Sequence, residues 1–176
     1  MRRWHALFLF LLSGCGSLEI EILDYPRDNT KVIILELGHK AAAGDLLIST
    51  MQYQRKIVHG KKQQAEITLF FKAQQDYPDL KGQAIITVDN ISYELTVADI
   101  YSYTETRDVG LVGVFGVSDS SKVLRGRIII PQEIEQKIFM SEKIEYSLFF
   151  GNYPIKLRVM QHQLDKLKEF LNYIPG

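Results

Sequence analysis

The chain has 176 residues, 46% of them hydrophobic, which suits one domain with a sizeable core. Its 21 basic and 21 acidic side chains balance, so there is no electrostatic warrant for a nucleic-acid partner, which needs a basic face to neutralise phosphates. Cys15 is the only cysteine; an internal disulfide is excluded and the core alone must hold the domain.

The first fifteen residues run from a positive start at Arg2 and Arg3, through an apolar stretch over residues 6–12, to the small residues Ser13 and Gly14 before Cys15. That is the layout of a secretory signal peptide, and the run is too short to span a bilayer, which takes ~20 apolar residues. Leu12-Ser13-Gly14-Cys15 resembles the lipobox of bacterial lipoproteins, a Leu and two small residues ahead of a Cys. The resemblance implies cleavage between Gly14 and Cys15, a diacylglyceryl group on the Cys15 thiol and an N-acyl group on the new amino terminus, with no other cofactor. Several acyl chains hold a protein to a membrane stably where one does so only marginally. By resemblance to lipoprotein sorting in Gram-negative bacteria, Gly16 rather than Asp after the cysteine implies passage to the outer membrane, with the periplasmic face as the expected location. Removal of residues 1–14 takes away Arg2 and Arg3 and no acid, so the mature chain has 19 basic and 21 acidic side chains, a net charge of −2.

Residues 15–17 leave little tether, and residues 18–176 read as a single β-rich domain lying close to the lipid surface. Leu18-Glu19-Ile20-Glu21-Ile22 alternates apolar and acidic residues, as a half-exposed strand does. Tyr25-Pro26-Arg27-Asp28-Asn29 is a turn, and residues 31–37 a buried strand ending at Gly38. Residues 40–45 fit either a loop or one helical turn. Residues 46–58 and 64–71 flank a hairpin turn at His59-Gly60-Lys61-Lys62, with a register that alternation leaves open.

Three hairpins follow. A two-residue loop at Asp89-Asn90 sets Val88 against Ile91, Ile86 against Tyr93 and Ala84 against Leu95. A loop at Ser118-Asp119-Ser120-Ser121 is expected to set Phe115 against Leu124, Leu111 against Ile128 and Val109 against Ile130, and so Gly113 against Gly126. Gly151-Asn152 closes the third, pairing Phe150 with Tyr153, Leu148 with Ile155, Tyr146 with Leu157 and Ile144 with Val159, and bringing Glu145 to Arg158. Leu164, Leu167, Phe170 and Leu171 then recur at helical spacing, giving an amphipathic helix over about 161–173. The expected fold is therefore all-β, an antiparallel sandwich of Ig-like or Greek-key type or a small barrel, with one C-terminal amphipathic helix. That helix either packs on the sheet or docks a partner.

Candidate chemistry is sparse. The glycines at 110, 113 and 116 are not a phosphate loop, because a strand rather than a helix follows them. The gap expected where Gly113 meets Gly126 suits a sheet bend, close backbone packing or a pocket floor. His39, His59 and His162 have no metal-ligand spacing, and no Gly-x-Ser-x-Gly elbow occurs. Glu19 and Glu21 share a wet strand face. Candidate contact residues are Tyr101 and Tyr103, which share a strand face with Tyr93 by parity; Arg125 and Arg127, expected beside Val112 and Val114; and the helix residues Leu164, Leu167, Phe170 and Leu171.

The leading expectation is a non-catalytic envelope lipoprotein, accessory or structural, that contacts another envelope protein through an open sheet edge or the terminal helix. The rival is a carrier of a lipid or other apolar ligand, resembling lipocalins in outline but without their Gly-x-Trp signature, since Trp4 lies in the signal peptide. An enzyme ranks third.

Overall fold

The computed structural model describes residues 18–39, 46–112 and 115–174. The lipobox with Cys15, the undecided stretch 40–45 and Gly113 lie outside them. The described chain is mostly antiparallel strand with two helices: β1 (Ile20–Tyr25), β2 (Thr30–Gly38), β3 (Leu46–Val58), β4 (Lys61–Lys62), β5 (Glu66–Gln74), β6 (Leu80–Val88), β7 (Ile91–Val112), β8 (Phe115–Ile129), α1 (Gln132–Met140), β9 (Ile144–Phe150), β10 (Tyr153–Val159) and α2 (Gln161–Asn172).

The turns follow from residues that tolerate left-handed backbone. Asn29, His59, Gly60, Asp89, Asn90 and Gly151 all have positive φ, the conformation two-residue hairpin loops demand. The Asp89-Asn90 and Gly151-Asn152 hairpins have the expected registers, Val88 facing Ile91 and Phe150 facing Tyr153. Glu145 does face Arg158 in the ladder, yet its carboxylate pairs diagonally with Lys156 at 3.2 Å. Lys156 is largely exposed, so the pair contributes little.

The middle hairpin differs from expectation. β7 and β8 run on past Ser118–Ser121 and meet where Val112 pairs with Phe115, while Leu124 faces Ser102 and Ile128 faces Val97. A polar stretch signals a loop only where a strand would have to bury it. Here it pairs with the equally polar residues 104–108 in a two-stranded arm, and polar-on-both-faces strands specify register weakly.

The strands form one sheet in the order β1-β2-β3-β5-β8-β7-β6-β9-β10, with β4 added beside β3. The quartet β5-β8-β7-β6 has Greek-key order traced in the reverse chain direction. The sheet curls on itself because the long strand β7 serves both halves: its first part pairs with β6 and its second with β8. At the corner the β7–β8 register slips between Ala98 and Tyr101, and Asp99 takes a positive φ of 50°, the bend a bulge produces. Gly126 lies at the same corner. A Cβ there would sit 2.6 Å from Val97 Cγ1 and 2.9 Å from Leu80 Cδ2, so glycine lets the two halves approach. It faces Leu69 rather than a second glycine, and Val97 and Leu80 fill the gap that a pocket floor would need.

Between the halves lie Phe71 and Phe150, edge to face at 5.1 Å, and Tyr53 and Tyr146, whose hydroxyls hydrogen-bond at 3.0 Å. All four are buried, and burial raises both phenol pKa values well above their ordinary value. α2 closes the open side of this half-barrel. Its apolar face, Leu164, Leu167, Phe170 and Leu171, is buried in the core. Gln163 fixes its start by accepting from the Met160 N–H at 2.9 Å and donating to the Gly38 carbonyl at 2.9 Å.

α1 is a helix the sequence reading leaves unassigned. Pro131 precedes it, Glu133 and Glu135 occupy its first turn, and Ile134 and Ile138 bury one face; Ser141 stops it, its hydroxyl and N–H both bonding the Ile138 carbonyl. Glu135 ties it to the sheet. One carboxylate oxygen accepts the Ala65 N–H at 2.9 Å, and the other pairs with Arg55. Arg55, only 3% exposed, also donates to the Leu171 carbonyl at 2.8 Å and lies over the Phe170 ring. One buried guanidinium thus joins β3, α1 and the end of α2.

Candidate interaction surface

The outer face of the β3-β5-β8-β7 region gathers the expected contact residues of the sheet. The pairings Phe70–Arg125 and Arg125–Tyr101 place three side chains in one cross-strand row, and Lys72–Val123–Tyr103 forms the next. This corrects the expected neighbours of the arginines: Phe70 and Tyr101 flank Arg125, and Thr68 and Ala98 flank Arg127, in place of Val112 and Val114. The correction follows from the shifted β7–β8 register.

Tyr101 and Tyr103 are 50% and 45% exposed and stack with ring centroids 6.5 Å apart and planes inclined by 15°, an offset geometry that aromatic pairs favour. Tyr93 does not join them. Beyond the Asp99 bulge it packs against the core, with the Lys137 ammonium 5.2 Å from its ring centre. Arg125 places its guanidinium 5.1 Å from the Phe70 ring centre, and its buried Nε has no hydrogen-bond partner among the described residues. Beside it runs a groove of about 430 Å³ whose lining includes Glu36, Ile48, Thr50, Gln52 and Phe70.

Ion pairs bound this strip on two sides. Lys72 and Glu105 meet at 2.6 Å beyond Tyr103. Arg127 donates through Nε to Asp99 at 2.7 Å and through Nη1 to Glu66 at 3.3 Å. These two carboxylates, Asp99 foremost, raise the Arg127 pKa. Arg127 is thereby committed to its own chain.

The four helix candidates, Leu164, Leu167, Phe170 and Leu171, offer no surface, because each is packed in the core. Among the described residues no group of three His, Cys, Asp or Glu side chains is placed to hold a metal ion. His59 lies in its turn with Nδ1 3.4 Å from Asn29 Nδ2. His39 is half-buried beside the backbone of Arg158, and burial lowers its pKa. Further hollows lie at the far end of α2. A polar recess of about 240 Å³ is lined by Arg55, Lys62, Gln63, Gln132 and Glu135, and a groove of about 290 Å³ by Phe139, Met140 and Leu171. Burial, then the charge of Arg55, lowers the Lys62 pKa. No helix among the described residues is long and apolar enough to cross a membrane.

Sequence reasoning missed Arg55, Glu135 and Phe70. Arg55 carried a signal in its parity with Tyr53 and Ile57, an arginine in a core-facing row. Comparison with protein families, with curated proteins and with solved structures finds no match to this chain.

Proposed function

We propose that the chain is an envelope lipoprotein, anchored through acylated Cys15 at the outer membrane, whose β-domain binds another protein without catalysing a reaction. The carrying observation is the outer-face strip: Tyr101, Tyr103, Phe70 and Arg125, with ion pairs on two sides. Exposed aromatics and arginine at the centre with a charged rim is the anatomy of a protein-binding hot spot. The filled interior, with Tyr53, Tyr146, Phe71, Phe150 and Phe170 buried between the layers, favours this reading over that of a ligand carrier.

A photo-crosslinking side chain at position 101 or 103, introduced in intact cells, is expected to trap one discrete protein. The same label at exposed Glu94, on the other half of the sheet, should not trap it. Tyr101→Ala is expected to weaken the complex by about tenfold or more, ~1.4 kcal/mol, while Tm moves by about 2 °C or less, as befits an exposed site. Absence of an adduct, or the same adducts from position 94, would overturn the proposal.

A further inference from the structure

The half-barrel has two free sheet edges among the described residues, β1 and β10, and they are built differently. β10 is guarded. Pro154 lacks an N–H, Lys156 and Arg158 project outward, and Ile155, Leu157 and Val159 are buried. His39 also lies against the backbone of Arg158. These are the devices by which proteins keep a sheet edge from recruiting another strand.

β1 carries no proline and no lysine. Its register with β2 puts Ile20 opposite Leu35 and Ile22 opposite Ile33, so these two continue the core row out to the edge. Leu35 and Ile33 are fully buried, whereas Ile22 is 44% exposed with no strand beyond it. The other face of the same strand carries exposed Glu21, half-buried Leu23 and exposed Tyr25, and exposed Glu19 directly precedes the strand. The core layer is one strand short at this edge, and the other face is acidic where the strand begins, at Glu19 and Glu21.

We infer that β1 is a strand-addition site, taking an extended segment of a partner protein that alternates apolar and basic side chains. The apolar positions would cover Ile20 and Ile22, and the basic ones would lie beside Glu19 and Glu21, opposite charges on neighbouring strands being favourable. A second copy of this chain is disfavoured as the occupant. Antiparallel pairing of two β1 strands in the register that sets Ile20 against Ile22 would place Glu21 of one copy directly opposite Glu21 of the other. The inference rests on the reading of the chain as a protein-binding module, but not on the Tyr101 face.

The test is hydrogen exchange of the mature chain, residues 15–176, in detergent with synthetic eight-residue peptides. A peptide alternating lysine and valine is expected to slow exchange in the 18–25 segment at least tenfold, and one alternating glutamate and valine to leave it unchanged. Ile22→Lys, at an exposed position and so neutral for Tm, is expected to abolish the protection. Three results would overturn the inference: no protection by the lysine peptide, equal protection by both peptides, or sedimentation of the chain alone as a dimer protected over 18–25. Crosslinking from position 101 is read independently, so loss of one site leaves the other standing.

Discussion

Arg55→Ala is expected to lower the unfolding free energy by about 3–5 kcal/mol, the usual cost of removing one partner of a buried ion pair. Loss of the guanidinium leaves the Glu135 carboxylate, 15% exposed, with only the Ala65 N–H, and it strips the Leu171 carbonyl of its donor. The effect is larger than for a surface pair because Arg55 is 3% and Glu135 15% exposed. Urea denaturation should show the midpoint falling with little change in slope, and Tm should drop by roughly 10 °C. Glu135→Ala breaks the same link from the other side, so the double variant should cost clearly less than the two single losses together. A change below about 1 kcal/mol in Arg55→Ala would show that the helices do not depend on this junction.

Phe170→Ala should cost a comparable ~3–5 kcal/mol, the range for a buried aromatic cut to alanine. Its ring is fully buried, stands edge-on to Tyr53 at 6.2 Å and carries the Arg55 guanidinium on its face. This substitution separates the two roles open to α2. A docking helix would lose its partner and keep its stability; a core helix loses stability first. Thermal unfolding of the mature variant is the measurement, and an unchanged Tm would return Leu164, Leu167, Phe170 and Leu171 to the surface. Because Phe170 and Arg55 touch, their losses should not add.

What the sequence made legible follows from how many constraints converged on each element. In the Asp89-Asn90 and Gly151-Asn152 hairpins, loop length and alternation agree on one register, and the ladders have it. The α2 stripe was equally plain, four apolar residues at helical spacing. Between residues 96 and 128 the polar run Ser118–Ser121, read as a loop, and alternation agreed on one register, and the ladder has another. A bulge at Asp99 and a polar arm that stays paired beyond the core decided the matter, and neither is visible to a period-two pattern. The ambiguous register of residues 46–58 had a physical cause in Arg55, a charge on the core-facing row that makes sense only once Glu135 and the Leu171 carbonyl arrive from 80 and 116 residues away. α1 is short, with just Ile134 and Ile138 buried, but Pro131 ahead of it and two glutamates in its first turn were available signals.

The surface shows the same division. Tyr101, Tyr103, Arg125 and Arg127 could be named from strand parity alone. Their neighbours could not, because cross-strand partners depend on register. The shift that places Tyr101 beside Arg125 and Phe70, and gives Arg127 to Asp99 and Glu66, turns a pair of arginines into one structural ion pair and one member of an aromatic strip. Exposure of these rings is what the proposed binding of a partner protein requires.

The proposed function depends on where the chain is held, and the mass of its amino-terminal peptide, taken from native membranes, reads that directly. A fragment beginning at Cys15 and carrying a diacylglyceryl and an N-acyl group is the expected result. A fragment beginning at Met1, or Cys15 with a free thiol, would contradict it.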